Sequence, residues 1–225
     1  MQAKAFKKQL ILVGGGHANI QVLKKQCMYE YIGLHTVLIS EKYNATYSGL
    51  TPAYLQSQVE KKEISIDLQR LCFNAGATFI NDTVVSLDAD NKSIILKNCP
   101  SLNYDLISIN TGSVSKNSNI KIHNQSNCVM VKPISSFVEQ IEKIDEMIVN
   151  NKNLKLTIIG SGIAGYEISF SLFERYKDKV TITLVGPDNI KEQNINNTSR
   201  KKLLKLAKNI GIVIKNETVK EIDSK

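Results

Sequence analysis

Two glycine-rich segments carry the clearest chemical signal in this sequence of 225 residues. The first reads Gly14-Gly-Gly-His-Ala-Asn19, and the second reads Gly160-Ser-Gly-Ile-Ala-Gly165. In such a segment the first glycine permits a tight turn, and the second lets a pyrophosphate approach the backbone. Glycine turns also serve packing alone. Each of these opens a predicted helix, however, whose N-terminal N–H groups and dipole favour an anion, so the two segments predict two dinucleotide sites.

The two glycine turns differ at their third position and at the end of the next strand. Asn19 stands where a small residue normally allows close packing of helix and strand, whereas Gly165 keeps the pattern. After the first turn, Ser40 or Glu41 could reach a ribose hydroxyl, although Glu41 could equally be a surface carboxylate. After the second turn, the corresponding strand ends at Gly186 without an acid, which leaves NADH and NADPH both open.

The elements around these turns repeat a strand, turn, helix and strand order. Residues 9–13 and 36–39 are predicted strands that flank a helix over 17–29, and a βαβ unit of this kind requires parallel pairing and a right-handed crossover. The order restarts in the second half of the chain. The sequence therefore predicts an α/β fold with two tandem Rossmann-like, three-layer modules, the second of them incomplete. Further predicted elements are a helix over 66–74, a strand over 78–80, a hairpin of 84–87 and 93–96, a strand over 105–109, a helix over 135–149, strands over 156–159 and 180–185, a helix over 198–209, a strand over 212–214, and a hairpin that begins at 218–222.

Lysine dominates the charge of the chain, which has 29 basic and 21 acidic residues and a net charge of +8. Only three of the basic residues are arginine, and nucleic-acid readers usually add arginine for bidentate contacts. We therefore expect a solvated lysine surface and no nucleic-acid partner. The four cysteines and three histidines are scattered without metal-ligand spacing, so no metal site is expected.

The apolar runs of the chain are short. None approaches the roughly 18 residues that a spanning helix needs, and the run behind the basic N-terminus is shorter than a secretory signal requires. We therefore expect a cytoplasmic protein. At most a peripheral membrane contact is expected, because the lysine stripe of residues 201, 205 and 208 is typical of a solvated helix face.

Several motifs together resemble those of the pyridine nucleotide-disulfide oxidoreductase superfamily. The resemblance is strongest to the type II NADH dehydrogenase-like flavoprotein that is often fused to, or encoded with, selenide, water dikinase. It covers essentially the whole chain and implies FAD on the first module and NAD(P)H on the second. The matching segments are Leu12-Val-Gly-Gly-Gly-His-Ala18, Val37-Leu-Ile-Ser40, Thr46-Tyr-Ser-Gly-Leu-Thr-Pro52, Ile66-Asp-Leu-Gln-Arg-Leu-Cys72, Val131-Lys-Pro-Ile134 and Gly160-Ser-Gly-Ile-Ala-Gly-Tyr-Glu167.

The resemblance implies a role for individual residues toward both cofactors. His17 and Glu167 each have a plainer alternative, as a packing or capping histidine and as an ordinary helix glutamate. No residue is expected to act as a nucleophile. The implied residues are Gly14, Gly15, Gly16 and His17 at the FAD pyrophosphate, Ser40 or Glu41 at its ribose, Val84 at the adenine, Tyr47, Ser48 and Gly49 on the flavin side, Thr111 and Gly112 where the chain leaves that domain, and Gly160, Gly162, Gly165 and Glu167 at the nicotinamide dinucleotide.

The resemblance also implies a division of the chain and a reaction. Residues 1–114 are expected to form the FAD-binding domain without its C-terminal return segment, 115–132 a linker, and 133–225 a truncated NAD(P)-binding domain. The implied reaction is hydride transfer from NAD(P)H to FAD and onward to a quinone or another acceptor, since the sequence has no close cysteine pair. The alternative is a non-catalytic dinucleotide-binding fragment or subunit that needs a separate chain to complete its fold.

Overall fold

The computed structural model describes residues 7–115, 120–123, 128–150, 154–187 and 196–223. Within these segments the chain is an α/β protein. In chain order the elements are β1 (Lys8–Val13), α1 (His17–Met28), β2 (Leu34–Ile39), β3 (Asn44–Thr46), α2 (Thr51–Leu55), β4 (Ser65–Asp67), α3 (Leu68–Asn74), β5 (Thr78–Ile80), β6 (Val84–Asp88), β7 (Ser93–Leu96), β8 (Leu102–Asn103), β9 (Leu106–Ile109), β10 (Lys121–Ile122), α4 (Ile134–Asn150), β11 (Leu154–Ile159), α5 (Ile163–Tyr176), β12 (Val180–Val185), α6 (Asn197–Asn209), β13 (Val213–Lys215) and β14 (Glu221–Ile222).

The chain forms two compact units. The first contains the described residues up to Tyr47 together with Ser65–Ser113, and the second contains Ser48–Ile64 and the described residues from Val114 onward. Each unit has its own parallel sheet, in the order β5-β2-β1-β9 in the first unit and β11-β12-β13 in the second.

The first unit has three layers. Successive side chains of a strand point to opposite faces of its sheet. Ile11 therefore packs with the antiparallel sheet of β6, β7 and β8, whereas Leu12 packs with α1 and α3. Both side chains are fully buried, so β1 lies at the centre of the unit and holds the glycine turn that follows it.

The core of the second unit is built around α4, α5 and the strand β12. Phe137, Ile141 and Leu184 are among its buried side chains, and Tyr54 and Leu55 of α2 are buried with them. Arg175 of α5 reinforces this packing, because its guanidinium forms a bidentate pair with Asp145 at 2.8 and 2.5 Å.

The predicted fold class is confirmed, since both units have parallel sheets with helical crossovers. The hairpin of residues 84–88 and 93–96 is also present, and β8 adds a third strand to it. Among the helices of the described segments, none is long and apolar enough to cross a membrane.

The compact units differ from the expected division at Ser48–Ile64, and the second unit also begins at Val114, before the expected linker. Ser48–Ile64 groups with the second unit rather than with the rest of residues 1–114. The physical reason is the burial of α2 in the core of that unit, to which Arg175 adds a hydrogen bond of 3.0 Å with the carbonyl oxygen of Tyr54. Residues 41–58, for which the sequence predicts no helix or strand, contain β3 and α2, and the predicted helix over 66–74 begins only after strand β4.

The expected linker of residues 115–132 contains the strand β10, which pairs in parallel with β14. Within the segment 218–222, predicted as a strand, Glu221–Ile222 is the strand of this pair, and its place in a hairpin stays a prediction. Residues 116–119 and 124–127 of the expected linker lie outside the described residues. The assignment of one cofactor to each part of the chain stays a prediction.

Candidate functional site

The first glycine turn, residues 14–19, can be built only with glycines at two of its positions. Gly14 has a φ of +86°, which L side chains rarely adopt. A Cβ atom there would lie 2.6 Å from the carbonyl oxygen of Asn110, and a Cβ atom on Gly16 would collide with the Oδ1 atom of the same residue. Glycine at these two positions thus lets the turn pack directly against Asn110, the residue that follows β9.

The N–H groups of this turn are only partly used by the protein. Gly16 donates to the carbonyl oxygen of Asn110 at 3.0 Å, and Ala18 donates to the Oδ1 atom of Asn110, also at 3.0 Å. Among the hydrogen bonds of the described residues, none uses the N–H groups of Gly15 or His17. Two donors at the N-terminus of α1 therefore remain for an anion, where the helix dipole also favours one.

The buried Asn19 and the half-buried Ser108 form a pair behind the same turn. The Nδ2 atom of Asn19 donates to the carbonyl oxygens of Val13 at 3.1 Å and Gly14 at 2.8 Å. Its Oδ1 atom accepts from the Ser108 hydroxyl at 2.7 Å. Sequence reasoning noticed Asn19 only as a departure from the pattern and missed Ser108, because the register of β9 against β1 is not visible in the sequence.

Asn110 is a second residue that sequence reasoning missed. It follows β9 and comes directly before Thr111 and Gly112, which were implied as cofactor residues. The Cα atom of Thr111 would lie 2.6 Å from a Cβ atom on Gly14, so this loop does pass the first glycine turn. Thr111 and Gly112 are exposed, and Gly112 has a φ of +84°.

Two implied residues of the first unit, His17 and Tyr47, lie together. Their rings stack with centroids 5.4 Å apart and an interplanar angle of 30°. Ser48 and Gly49 are exposed in a short 3-10 turn. They belong to the second compact unit, and their implied role beside the flavin stays a prediction.

The two ribose candidates lie at the carboxyl end of β2. The Oε1 atom of Glu41 accepts from the Thr83 hydroxyl at 3.1 Å, and the carboxylate is exposed. The hydroxyl oxygen of Ser40 accepts from the backbone of Lys42 at 3.3 Å, and its carbonyl oxygen accepts from Asn81 at 3.0 Å. Glu41 is thus the candidate whose polar group faces solvent from a fixed position.

The buried carboxylate of Asp82 fixes the loop that leads to Val84. It accepts hydrogen bonds of 2.7 to 3.0 Å from Thr83, Asn98 and Cys99. Burial by itself raises the pKa of Asp82, but these hydrogen bonds outweigh it and lower the pKa to about 2. Val84 is half-buried and pairs with Leu96 across the hairpin.

The second glycine turn, residues 160–165, has the same arrangement in the second unit. Gly160 has a φ of +120° and donates to the carbonyl oxygen of Val185 at 2.7 Å. A Cβ atom on Gly165 would collide with the carbonyl oxygen of Gly160, so the third glycine allows α5 to approach the turn. Gly162 begins this helix without a side-chain cap.

Packing explains why the first residue after β12 is a glycine and not an acid. A Cβ atom on Gly186 would lie 2.5 Å from the N atom of Ser161, so a side chain has no room at this position. Ser161 is buried, and its hydroxyl donates to the carbonyl oxygen of Pro187 at 2.5 Å. Glu167 is exposed in the second turn of α5.

Comparison with known proteins identifies relatives of the whole described chain. The sequence model of the family described as pyridine nucleotide-disulphide oxidoreductase matches residues 8–225. Nitrite reductase [NAD(P)H] of Bacillus subtilis (strain 168) is 26% identical over 181 residues, which are 79% of this chain and 22% of that protein.

Two solved structures illustrate the similarity of fold. The sulfide:quinone oxidoreductase of Aquifex aeolicus has a TM-score of 0.74 at 20% identity and is matched over 96% of this chain and 52% of its own. The NAD-dependent persulfide reductase of A. fulgidus has a TM-score of 0.80 at 18% identity, over 96% of this chain and 41% of its own. The chain thus spans about half the length of these proteins or less.

Proposed function

Because the chain belongs to the pyridine nucleotide-disulphide oxidoreductase family, we propose that it is an FAD-dependent NAD(P)H oxidoreductase. The first compact unit binds FAD, and the second binds the nicotinamide dinucleotide. The nitrite reductase relative carries NAD(P)H in its name, and the persulfide reductase is NAD-dependent, which supports the choice of reductant.

The observation that carries this proposal is the N-terminus of α1. The backbone of Gly14 and Gly16 leaves no space for side chains, and the N–H groups of Gly15 and His17 have no partner among the described residues. A pyrophosphate supplies the acceptor oxygens that such donors need, and no acidic residue stands in the first turn of α1 to repel it. The residues present therefore fit the pyrophosphate of FAD.

The adenosine half of FAD would extend toward Glu41. This carboxylate can accept hydrogen bonds from ribose hydroxyls while the Thr83 hydroxyl holds it in place. Val84 then stands at the adenine, and the ordered loop around Asp82 keeps it there. His17 and Tyr47, stacked on each other, stand beside the turn on the path that we propose toward the flavin.

The second glycine turn would hold the pyrophosphate of NAD(P)H. Gly160 provides open backbone, with no atom within 4 Å of an added Cβ, and Gly162 begins α5. Gly165 lets α5 approach, and we assign Gly162 to the pyrophosphate and Glu167 to the nicotinamide end. Because Gly186 leaves no room for an acid after β12, a carboxylate at that position cannot select against a 2′-phosphate. The residue at this position therefore does not decide between NADH and NADPH.

The reaction follows from the two ligands. When bound, FAD accepts a hydride from NAD(P)H at its flavin ring and delivers the electrons to a second acceptor. The protein's part is to bind both dinucleotides through backbone donors. None of the four cysteines forms a disulfide, and none is close in sequence to another, so we propose a quinone or another small molecule as acceptor. The association with selenide, water dikinase stays a prediction.

A second candidate function is a dinucleotide-binding subunit that another chain completes. The observation that favours it is the exposure of apolar side chains on β9, one of the two edge strands of the first sheet. Leu106 is 55% exposed and Ile109 is 58% exposed. Such side chains are suited to cover by further polypeptide.

The visible spectrum of the purified chain distinguishes these functions. The protein is incubated with FAD, freed of unbound flavin, and titrated without oxygen with NADH or NADPH, with free FAD as the background. Bound flavin that bleaches with either nucleotide supports the oxidoreductase. Bound flavin that does not bleach favours the binding subunit, and a chain that takes up no FAD overturns the proposed function.

A further inference from the structure

The side-chain amide of Asn19 is fully buried behind the first glycine turn, and its hydrogen-bonding groups are all engaged. Its NH₂ group donates to the backbone carbonyl oxygens of Val13 and Gly14, and its amide oxygen accepts from the Ser108 hydroxyl. These partners permit only one orientation of the amide, because the NH₂ group must face the carbonyl oxygens and the oxygen must face the hydroxyl.

The bond to Gly14 determines the direction of a neighbouring donor. A trans peptide is planar, so its C=O and N–H point in opposite directions. Since the carbonyl oxygen of Gly14 points at Asn19, the N–H of Gly15 in the same peptide points away from Asn19. This is one of the two N–H groups that the described residues leave unpartnered at the start of α1.

The peptide between Gly14 and Gly15 needs such a restraint. Glycine tolerates backbone angles on both sides of zero, so a peptide between two glycines meets little steric resistance to a flip. A flipped peptide would present a carbonyl oxygen to an anion instead of an N–H. The flip would also leave the buried NH₂ group of Asn19 with an unpaired hydrogen, which is unfavourable.

We propose that Asn19 is a positioning residue that holds the Gly15 N–H toward the pyrophosphate of the bound dinucleotide, with Ser108 fixing the Asn19 amide. The proposal rests on the function proposed above. It also explains why the first turn departs from the usual small residue at its third position. Here the contact between helix and turn is made by hydrogen bonds, whereas Gly165 makes it by close packing in the second turn.

The test compares FAD affinity with melting temperature in three variants. FAD affinity is measured by quenching of flavin fluorescence at a temperature where all variants are folded. Asn19→Leu keeps the branched shape of the side chain but is larger and has no donors, and Ser108→Ala keeps Asn19 but removes the partner of its amide oxygen. Ile20→Ala is the matched control, because it removes buried contacts of the same helix without touching the turn. We expect FAD affinity to fall about ten-fold or more in Asn19→Leu and less in Ser108→Ala. Ile20→Ala should lower the melting temperature with FAD affinity within about two-fold.

A spectroscopic signal separates positioning from general support. FAD should shift the Gly15 amide resonance of the wild-type chain and leave it nearly unshifted in Asn19→Leu. If the wild type binds FAD and both Asn19→Leu and Ser108→Ala bind it equally well, the inference is wrong while the proposed function stands. If affinity follows melting temperature across all three variants, Asn19 is merely structural and the inference is again overturned. Failure of the wild type to bind FAD overturns both.

Discussion

The Thr83 hydroxyl and the Glu41 carboxylate meet at 3.1 Å where the neighbouring strands β2 and β5 end. Both residues follow the carboxyl end of their strand, which is the edge at which open α/β sheets bind ligands. The bond holds an exposed glutamate in a fixed position, and it connects the ribose candidate with the loop that leads to Val84.

Removal of this carboxylate should weaken FAD binding. We expect Glu41→Gln to lower FAD affinity by roughly ten-fold, because a hydrogen bond to a charged acceptor contributes about 1.5–3 kcal/mol. Thr83→Val should have a smaller effect, and the double variant should be little worse than Glu41→Gln because the two side chains act together. Flavin fluorescence titration measures all three. Glu174→Gln, an exposed glutamate of the second unit, is the control, and equal affinities of Glu41→Gln and this control would contradict the assignment.

Closure of the first glycine turn should abolish FAD binding. In Gly16→Ala the added Cβ collides with the Oδ1 atom of Asn110, so the start of α1 must move away from β9. We expect a loss of about 1–3 kcal/mol of stability from the overpacking and no flavin retained after gel filtration. Gly76→Ala is the control, since its φ of +64° also makes alanine unfavourable but no atom lies within 4 Å of the new Cβ. Retention of flavin by Gly16→Ala would place the pyrophosphate elsewhere.

Much of the fold could be predicted from local sequence. Runs of β-branched and other apolar residues located the strands of 78–80, 93–96 and 180–185 at the residues where they occur, because such runs suit buried strands. The glycine turns were visible since a positive φ at Gly14 or Gly160 leaves few alternatives to glycine.

The remainder depends on contacts between distant segments. Nothing in the residues around Tyr54 indicates that α2 is buried with Phe137 and Leu184, more than 80 residues further on. The role of Asn110 follows from the pairing of β9 with β1, and Asp82 looks like an ordinary turn aspartate until Asn98 is brought against it. Long-range register, which the sequence pattern does not encode locally, decides these positions.

The carboxylate of Asp82 should make the first unit sensitive to acid. Its folded-state pKa of about 2 lies below the ordinary value of 3.8, so its stabilising contribution is fully present above about pH 4–5 and is lost as the pH falls toward 2. Urea unfolding from pH 6 to pH 2 measures this, and the comparison with Asp82→Asn removes the contribution of other acids. We expect Asp82→Asn to be less stable than the wild type at pH 6 and to approach it at pH 2. A constant difference across this range would show that the charge of Asp82 does not matter.

Closure of the second glycine turn should weaken the binding of NAD(P)H without weakening the binding of FAD. A Cβ atom on Gly165 would collide with the carbonyl oxygen of Gly160, so in Gly165→Ala the start of α5 is displaced from the turn that we assign to NAD(P)H. Overpacking of this kind costs about 1–3 kcal/mol, and we expect the nucleotide concentration that half-saturates flavin bleaching to rise roughly ten-fold or more. FAD affinity should stay within about two-fold, because Gly165 belongs to the other compact unit. Ala164→Ser is the matched control, since Ala164 is exposed beside it and tolerates a hydroxyl. Loss of FAD and of bleaching together in Gly165→Ala, with Ala164→Ser unchanged, would mean that the two glycine turns do not bind separate cofactors.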